Sequence, residues 1–168
     1  MDTELNASKK IVCITGTVWT GGHIAPREKL VKAGYVRPLW FTTTRGITDG
    51  HYRHISMGSF HLASTREEIF VHIEYGGGRM GIMNEDFSEA ISRSDKGVLV
   101  VAPPDIAAQI ANKVPEAILF TLKCASMELS KHLSTASKSR QFHRINIDSE
   151  QIGAWDKAYA EMEIILGL

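Results

Sequence analysis

The run IVCITGTVWTGGHI, residues 11–24, decides how the chain is read. Residues 11–15 are apolar or β-branched and are followed at once by Gly16, as in a buried strand that ends in a turn. Gly16 and Gly21 stand at the spacing of the phosphate-cradling loop G-x-x-x-x-G-K-[ST]. In that loop backbone N–H groups wrap the phosphates, the lysine reaches the β and γ phosphates, and the Ser/Thr hydroxyl holds Mg²⁺. The frame of Gly16, Thr17, Thr20 and Gly21 is present, but Gly22 stands where the lysine belongs and His23 where the hydroxyl belongs. The run therefore reads as a degenerate cradle: strand, anion-binding turn and helix start, without the two side chains that carry the chemistry. Trp19 puts a large ring in the same loop, where it either fills the space of the phosphates or packs against the following helix.

With 168 residues and 43% apolar side chains, the chain reads as one globular unit over 1–168 with a sizeable core. Lysine plus arginine equals aspartate plus glutamate, 19 each, so no overall field draws the protein to nucleic acid or an anionic membrane. Any anion site is local. No apolar run approaches the length of a membrane span, and residues 1–10 lack the apolar segment of a secretory signal, so the cytoplasm is the expected location. Cys13 and Cys124 lie in apolar, strand-like runs, where a thiol behaves as a small buried hydrophobe; both are expected to be reduced. His51, His54 and His61 lack the cysteine or acidic partners of a metal-binding spacing, and no metal site is read from them.

Beyond the cradle, helical and extended patterns alternate. Residues 24–34 read as a helix with Pro26 in its first turn and Gly34 as its stop. Residues 39–44 are strand-like, 45–50 turn-rich and 52–56 extended, while 58–70 are mixed and end in an exposed helical polarity at Thr65, Arg66, Glu67 and Glu68. Strands at 71–75 and 79–83 flank Gly76-Gly77-Gly78, a hairpin turn in preference to an anion nest. Asn84 is placed to cap a helix running to Ser94, with Phe87, Ala90 and Ile91 on one face. Residues 97–102 are continuously apolar, as in a strand buried on both faces, and a helix follows at 104–114. Residues 116–124 are β-rich, Ser126 is placed to cap the next helix, and 143–147 form the last strand. Asp148 or Ser149 then caps a final helix whose inner stripe is Ile152, Trp155, Tyr159, Met162 and Leu166. Such alternation predicts an α/β fold, a parallel sheet with helices on both faces.

Four further segments carry a likeness: FTTTRGITDGHYRHIS at 41–56, EIFVHIEYGGGRMGI at 68–82, KVPEAILFTL at 113–122 and HRINID at 143–148. In this order, and in register with the degenerate cradle, they resemble the guanylate kinase family over about 10–168. That family's acceptor-nucleotide segment runs from Thr-Thr-Arg through an Asp-Gly or Asn-Gly turn to a tyrosine. Its next segment reads E-F-x-E-x-x-E-x-x-G-N-x-Y-G-[ST]. The resemblance implies a P-loop-type parallel sheet flanked by helices, with a core over 10–40 and 84–168 and a small acceptor-binding lobe over about 41–83.

Carried over residue by residue, the resemblance implies that Arg45 grips an acceptor phosphate, Tyr52 also contacts it, and Glu74 recognises the base edge. Thr42 or Thr43 stands in for a phosphate-binding serine. The second phosphate-gripping arginine has no counterpart in the shortened turn after Arg45, and Arg53 is the side chain placed to reach in. The tyrosine and Ser/Thr of the family's glycine turn are Met80 and Ile82, and its acidic D-x-D becomes Val101 and Pro103. The arginine-rich lid is reduced to Lys131, Lys138 and Arg140, with Lys138 and Arg140 as its remnant cations. Phosphoryl transfer rests on positioning and charge neutralisation, so these losses together remove its main contributors. The expected function is a guanylate kinase-like protein with impaired phosphotransfer, binding a nucleotide or another phosphorylated small molecule and having no assigned cofactor. Two alternatives stay open: an active, divergent nucleotide kinase that uses ATP and Mg²⁺, and a protein-interaction module of guanylate kinase-like type.

Overall fold

The first strand, β1 (Lys10–Gly16), is hydrogen-bonded on both sides and buried on both faces. These are findings of a computed structural model that describes residues 9–16, 24–38, 41–46, 52–124, 141–147 and 152–168. The expectations for residues 17–23, Ser126, Lys131, Lys138, Arg140, Asp148 and Ser149 fall outside the described residues, as does the side chain of Cys124. Around β1 stand β2 (Tyr35–Val36), β7 (Gly97–Val101), β8 (Ile118–Cys124) and β9 (Phe142–Ile147), in the order β2-β7-β1-β8-β9 with every pairing parallel. Side chains alternate along a strand, so Ile11 and Cys13 enter one apolar layer while Val12 and Ile14 enter the other. The second layer is closed by α1 (Ile24–Lys32) and α5 (Ala154–Leu166) through Leu30, Ala158, Met162 and Leu166. The first is closed by α3 (Asn84–Arg93) and α4 (Pro104–Lys113) through Phe87, Ala90, Ile106 and Ile110. Complete burial pushes the Cys13 thiol up to about 12, which makes it a hydrophobe without thiolate chemistry.

A second sheet is built from β3 (Phe41–Thr43), β4 (Tyr52–His54), β5 (Ile69–Tyr75) and β6 (Gly78–Met83), in the order β4-β3-β6-β5. Its inner face contributes Phe41, Val71, Met80 and Ile82 to the same apolar cluster as Ile106, Ile110 and Leu119, so this lobe and the central sheet share one core. The outer face is covered by α2 (Met57–Thr65), whose Phe60 meets the His72 ring edge-on at 5.7 Å. Ser56 caps α2 by accepting the Ser59 N–H at 3.0 Å. The helical part of residues 58–70 thus precedes the polar run at Arg66, Glu67 and Glu68. Glu67 sits at φ 57°, a conformation costly for a side-chain-bearing residue. Asn84 holds it there by donating from Nδ2 to the Glu67 carbonyl at 2.7 Å. Asn84 is therefore a loop tether, and the N-cap of α3 is Met83, which makes no side-chain cap bond. The β5–β6 turn has Gly76 at φ 56° and Gly77 at φ 78°, as a two-residue turn with two positive φ angles requires.

The last helix departs from expectation. It begins at Ala154, after Gly153 at φ 78° has broken the chain direction, and Ile152 is fully exposed before it. Its buried stripe is Ala154, Ala158, Met162 and Leu166, spaced by four, with Trp155 and Tyr159 half-buried beside it. Two alanines let α5 lie close to the sheet, and the large rings move to the flank. Gly97, at φ 139°, shows how tight the ladder is: a Cβ there would fall onto the Lys10 carbonyl oxygen of β1. Gly97→Ala is expected to lower the unfolding free energy by at least about 2 kcal/mol, from strain and backbone displacement together. Urea denaturation followed by circular dichroism tests this, and an unchanged midpoint would contradict the close approach of β1 and β7.

Candidate functional site

The β5–β6 hairpin assembles the polar groups of the lobe. A two-residue turn at Gly76-Gly77 places Glu74 opposite Arg79, and the Arg79 Nη2 donates to Glu74 Oε1 at 3.1 Å. The Glu74 side chain is 81% exposed. Beside the pair lies a cavity of about 370 Å³ lined by Met57, Glu74, Gly76, Gly77, Gly78 and Arg79. Thr44 and Arg79 bind each other twice: the Arg79 N–H donates to Thr44 Oγ1 at 2.9 Å, and the Thr44 N–H donates to the Arg79 carbonyl at 3.0 Å. This sets the next residue, Arg45, across the turn. A Cβ at Gly76 would collide with the Arg45 guanidinium, and one at Gly78 with its aliphatic stem, so both glycines are needed for that arrangement. The cavity itself is thus bordered by one guanidinium, one carboxylate and a floor of bare backbone, while Arg45 lies against Gly76 and Gly78 of that backbone and is not among the lining residues.

The other implied residues are placed differently. Thr42 and Thr43 are 1% exposed, and Thr43 Oγ1 accepts the Arg45 N–H at 3.1 Å, so these hydroxyls serve the lobe's own backbone and side chains. Tyr52 packs its ring against Phe41 at 6.1 Å, on the rim of the shared core. Arg53 does not join the hairpin. It turns to Asp86 in the first turn of α3, with Nη2 and Oδ2 2.6 Å apart. Burial raises the Asp86 carboxyl above the usual aspartate range, against the opposing pull of the Arg53 charge and hydrogen bond. Glu74 faces away from Met80 and Ile82, because residues opposite Val71 and Ile73 point into the core while those opposite Glu74 point outward. The structure therefore puts Arg45 and Glu74 on the same hairpin tip, Arg45 against Gly76 and Gly78 and Glu74 against Arg79, buries Thr42 and Thr43 in the lobe and leaves Tyr52 on its rim. Arg79 was not singled out in the sequence: a three-glycine turn at 76–78 sets it opposite Tyr75, and only the observed two-residue turn sets it opposite Glu74.

At the carboxyl end of β1, Gly16 has φ 103° and lies against the backbone of Leu122 in β8. Its neighbour Thr15 stands in register with Thr121, and both side chains are fully buried. Neither Oγ1 has a hydrogen-bond partner among the described residues. Val101 ends β7 and the buried Pro103 is the N-cap of α4, and neither offers a side-chain oxygen. No group of three His, Cys, Asp or Glu side chains gathers among the described residues.

A five-stranded parallel sheet between helical layers, carrying a four-stranded lobe over one face, defines an α/β fold of the guanylate kinase-like, P-loop type. The guanylate kinase from Anaplasma phagocytophilum is similar in structure, with a TM-score of 0.64 over 96% of this chain and 86% of that one, at 16% sequence identity. That likeness establishes the fold. No protein-family model matches the chain, and no curated protein is similar to it in sequence. No helix among the described residues is long and apolar enough to cross a membrane.

The paired hydroxyls give a direct test. A buried hydroxyl without a partner costs about 1–3 kcal/mol, and valine has the same shape without the polar atom. Thr121→Val is expected to stabilise the free protein by about 1 kcal/mol in chemical denaturation, and Thr15→Val likewise. A loss of stability would show that each hydroxyl is bonded in solution.

Proposed function

We propose that this chain is a cytoplasmic, guanylate kinase-like protein with impaired phosphotransfer, which binds a nucleotide or another phosphorylated small molecule at the β5–β6 hairpin of its lobe. The observation that carries this reading is Arg45, laid against Gly76 and Gly78, two glycines that also line the cavity of about 370 Å³ with Glu74 and Arg79. A guanidinium presents parallel donors to a phosphate, and a carboxylate accepts N–H or O–H groups from the remainder of a ligand. The Glu74–Arg79 pair is exposed, so exchanging it for ligand contacts costs little. In this reading Thr43 positions Arg45 through its backbone, and Tyr52 fixes β4 against Phe41.

The impairment is read from residue chemistry. Gly22 and His23 supply neither the lysine nor the hydroxyl of a working cradle, and Val101 and Pro103 supply no carboxylate. In phosphoryl transfer such groups provide most of the stabilisation of the moving charge.

Two measurements test the proposal. Arg45→Ala is expected to weaken binding of nucleoside monophosphates, followed by calorimetry, by about 1.5–3 kcal/mol, roughly 10- to 100-fold, the worth of hydrogen bonds to a charged group. Wild-type binding with unchanged affinity in the variant would remove Arg45 from the site. Transfer from ATP to GMP by the purified protein is expected to fall far below the 1–100 s⁻¹ range typical of kinases. Turnover within that range would mean an active kinase, with a cation from another position replacing the missing lysine.

A further inference from the structure

We propose that α4 and α3 pin the lobe at both edges of its sheet, so that the hairpin site stands preset over the central sheet and does not depend on a swing of the lobe. The strand order β4-β3-β6-β5 makes β4 and β5 the edges, and an edge strand ordinarily presents unpaired backbone groups. Along β5 those of Phe70 and His72 are taken by α4. The His72 N–H donates to Gln109 Oε1 at 3.1 Å, and Gln109 Nε2 donates back to the His72 carbonyl at 2.7 Å, so one side-chain amide acts as a strand partner. The Phe70 carbonyl accepts from Lys113 Nζ, which also lies 5.5 Å from the centre of the Phe70 ring.

The spacing makes the match. Gln109 and Lys113 are four apart on a helix, about 6 Å along its axis, while Phe70 and His72 are two apart on a strand, about 6.8 Å. One helix face therefore reads alternate residues of the edge. At the opposite edge, Arg53 of β4 binds Asp86 of α3 at 2.6 Å. Between the two edges, Phe70 stacks on Phe87 with ring centres 4.2 Å apart, and Val71, Met80 and Ile82 share the core with Ile106 and Ile110. A rigid swing would have to break the amide pair or the ion pair and open the apolar core at the same time.

The test uses the full chain without ligand, so its outcome is independent of what the hairpin binds. In amide exchange followed by NMR, the His72 amide is expected to exchange at least 10-fold more slowly than that of Glu74. Glu74 is the next outward-facing residue on the same edge, and nothing among the described residues binds its N–H. Gln109→Met, which keeps the length and removes the amide, brings the two rates together. Spin labels at Leu62→Cys on α2 and Ile164→Cys on α5, both exposed positions, in a Cys124→Ser background, are expected to give one narrow distance distribution. That distribution broadens in Gln109→Met/Arg53→Met. Equal exchange of His72 and Glu74 in the unmodified chain, or a double variant as narrow as the parent, would overturn the proposal. If the double variant unfolds, the exchange rates of the single variant decide.

Discussion

The parallel ladders on both sides of β1 leave its side chains only the two helical layers to enter, and the arrangement of the molecule follows from that confinement. Ile11 and Cys13 on one face and Val12 and Ile14 on the other are at most 3% exposed, so each layer must supply matching apolar surface. At about 25 cal/mol per Å² of apolar surface removed from water, a strand buried on both sides contributes roughly twice what a strand with one wet face would. Gly16 and Gly97 are part of this constraint. Both have positive φ, and both lie where a neighbouring strand's backbone passes too close for a side chain.

Because one of the two layers also receives the inner face of the lobe, the polar hairpin is built on rigid support. Met80 and Ile82, which stand where the family likeness has a tyrosine and a Ser/Thr, carry apolar side chains and are buried in that shared core. The polar side chains lie outward, at the tip, where Gly76 and Gly78 give Arg45 room and where Glu74 and Arg79 pair at the surface. Arg53, the candidate for a second phosphate contact, is held instead by a carboxylate that is itself 8% exposed. Removing one partner of such a pair is costly, because the other charge remains in a poorly solvated place. This makes Arg53 a better anchor than ligand contact.

Several features were legible in the residues. The apolar run at 11–15 and the run at 97–102 became β1 and β7, the two strands flanking the glycine turn became β5 and β6, and Gly34 ended α1. Local chemistry suffices for these, since strand burial, a two-glycine turn and a helix stop are written in adjacent positions. The start of α5 was less legible, because Ile152, Trp155 and Tyr159 form a credible helical stripe on their own. Packing of alanines against the sheet, with Gly153 breaking the chain before them, kept Met162 and Leu166 in the stripe and put Ala154 and Ala158 in place of Trp155 and Tyr159.

For the site, the sequence with its family likeness was enough to nominate Arg45 and Glu74 and to show which side chains a working cradle lacks, while the pairing of Glu74 with Arg79 came from the two-residue turn of the structure, where a three-glycine turn was expected. It did not tell the inner face of the hairpin from the outer, since that depends on which side the core lies. Nor did it pair Arg53 with Asp86, His72 with Gln109 or Thr15 with Thr121, partners that are 33, 37 and 106 residues apart. Contacts between residues so distant are set by how strands and helices stack, because a hydrogen bond reaches about 3 Å whatever the separation along the chain.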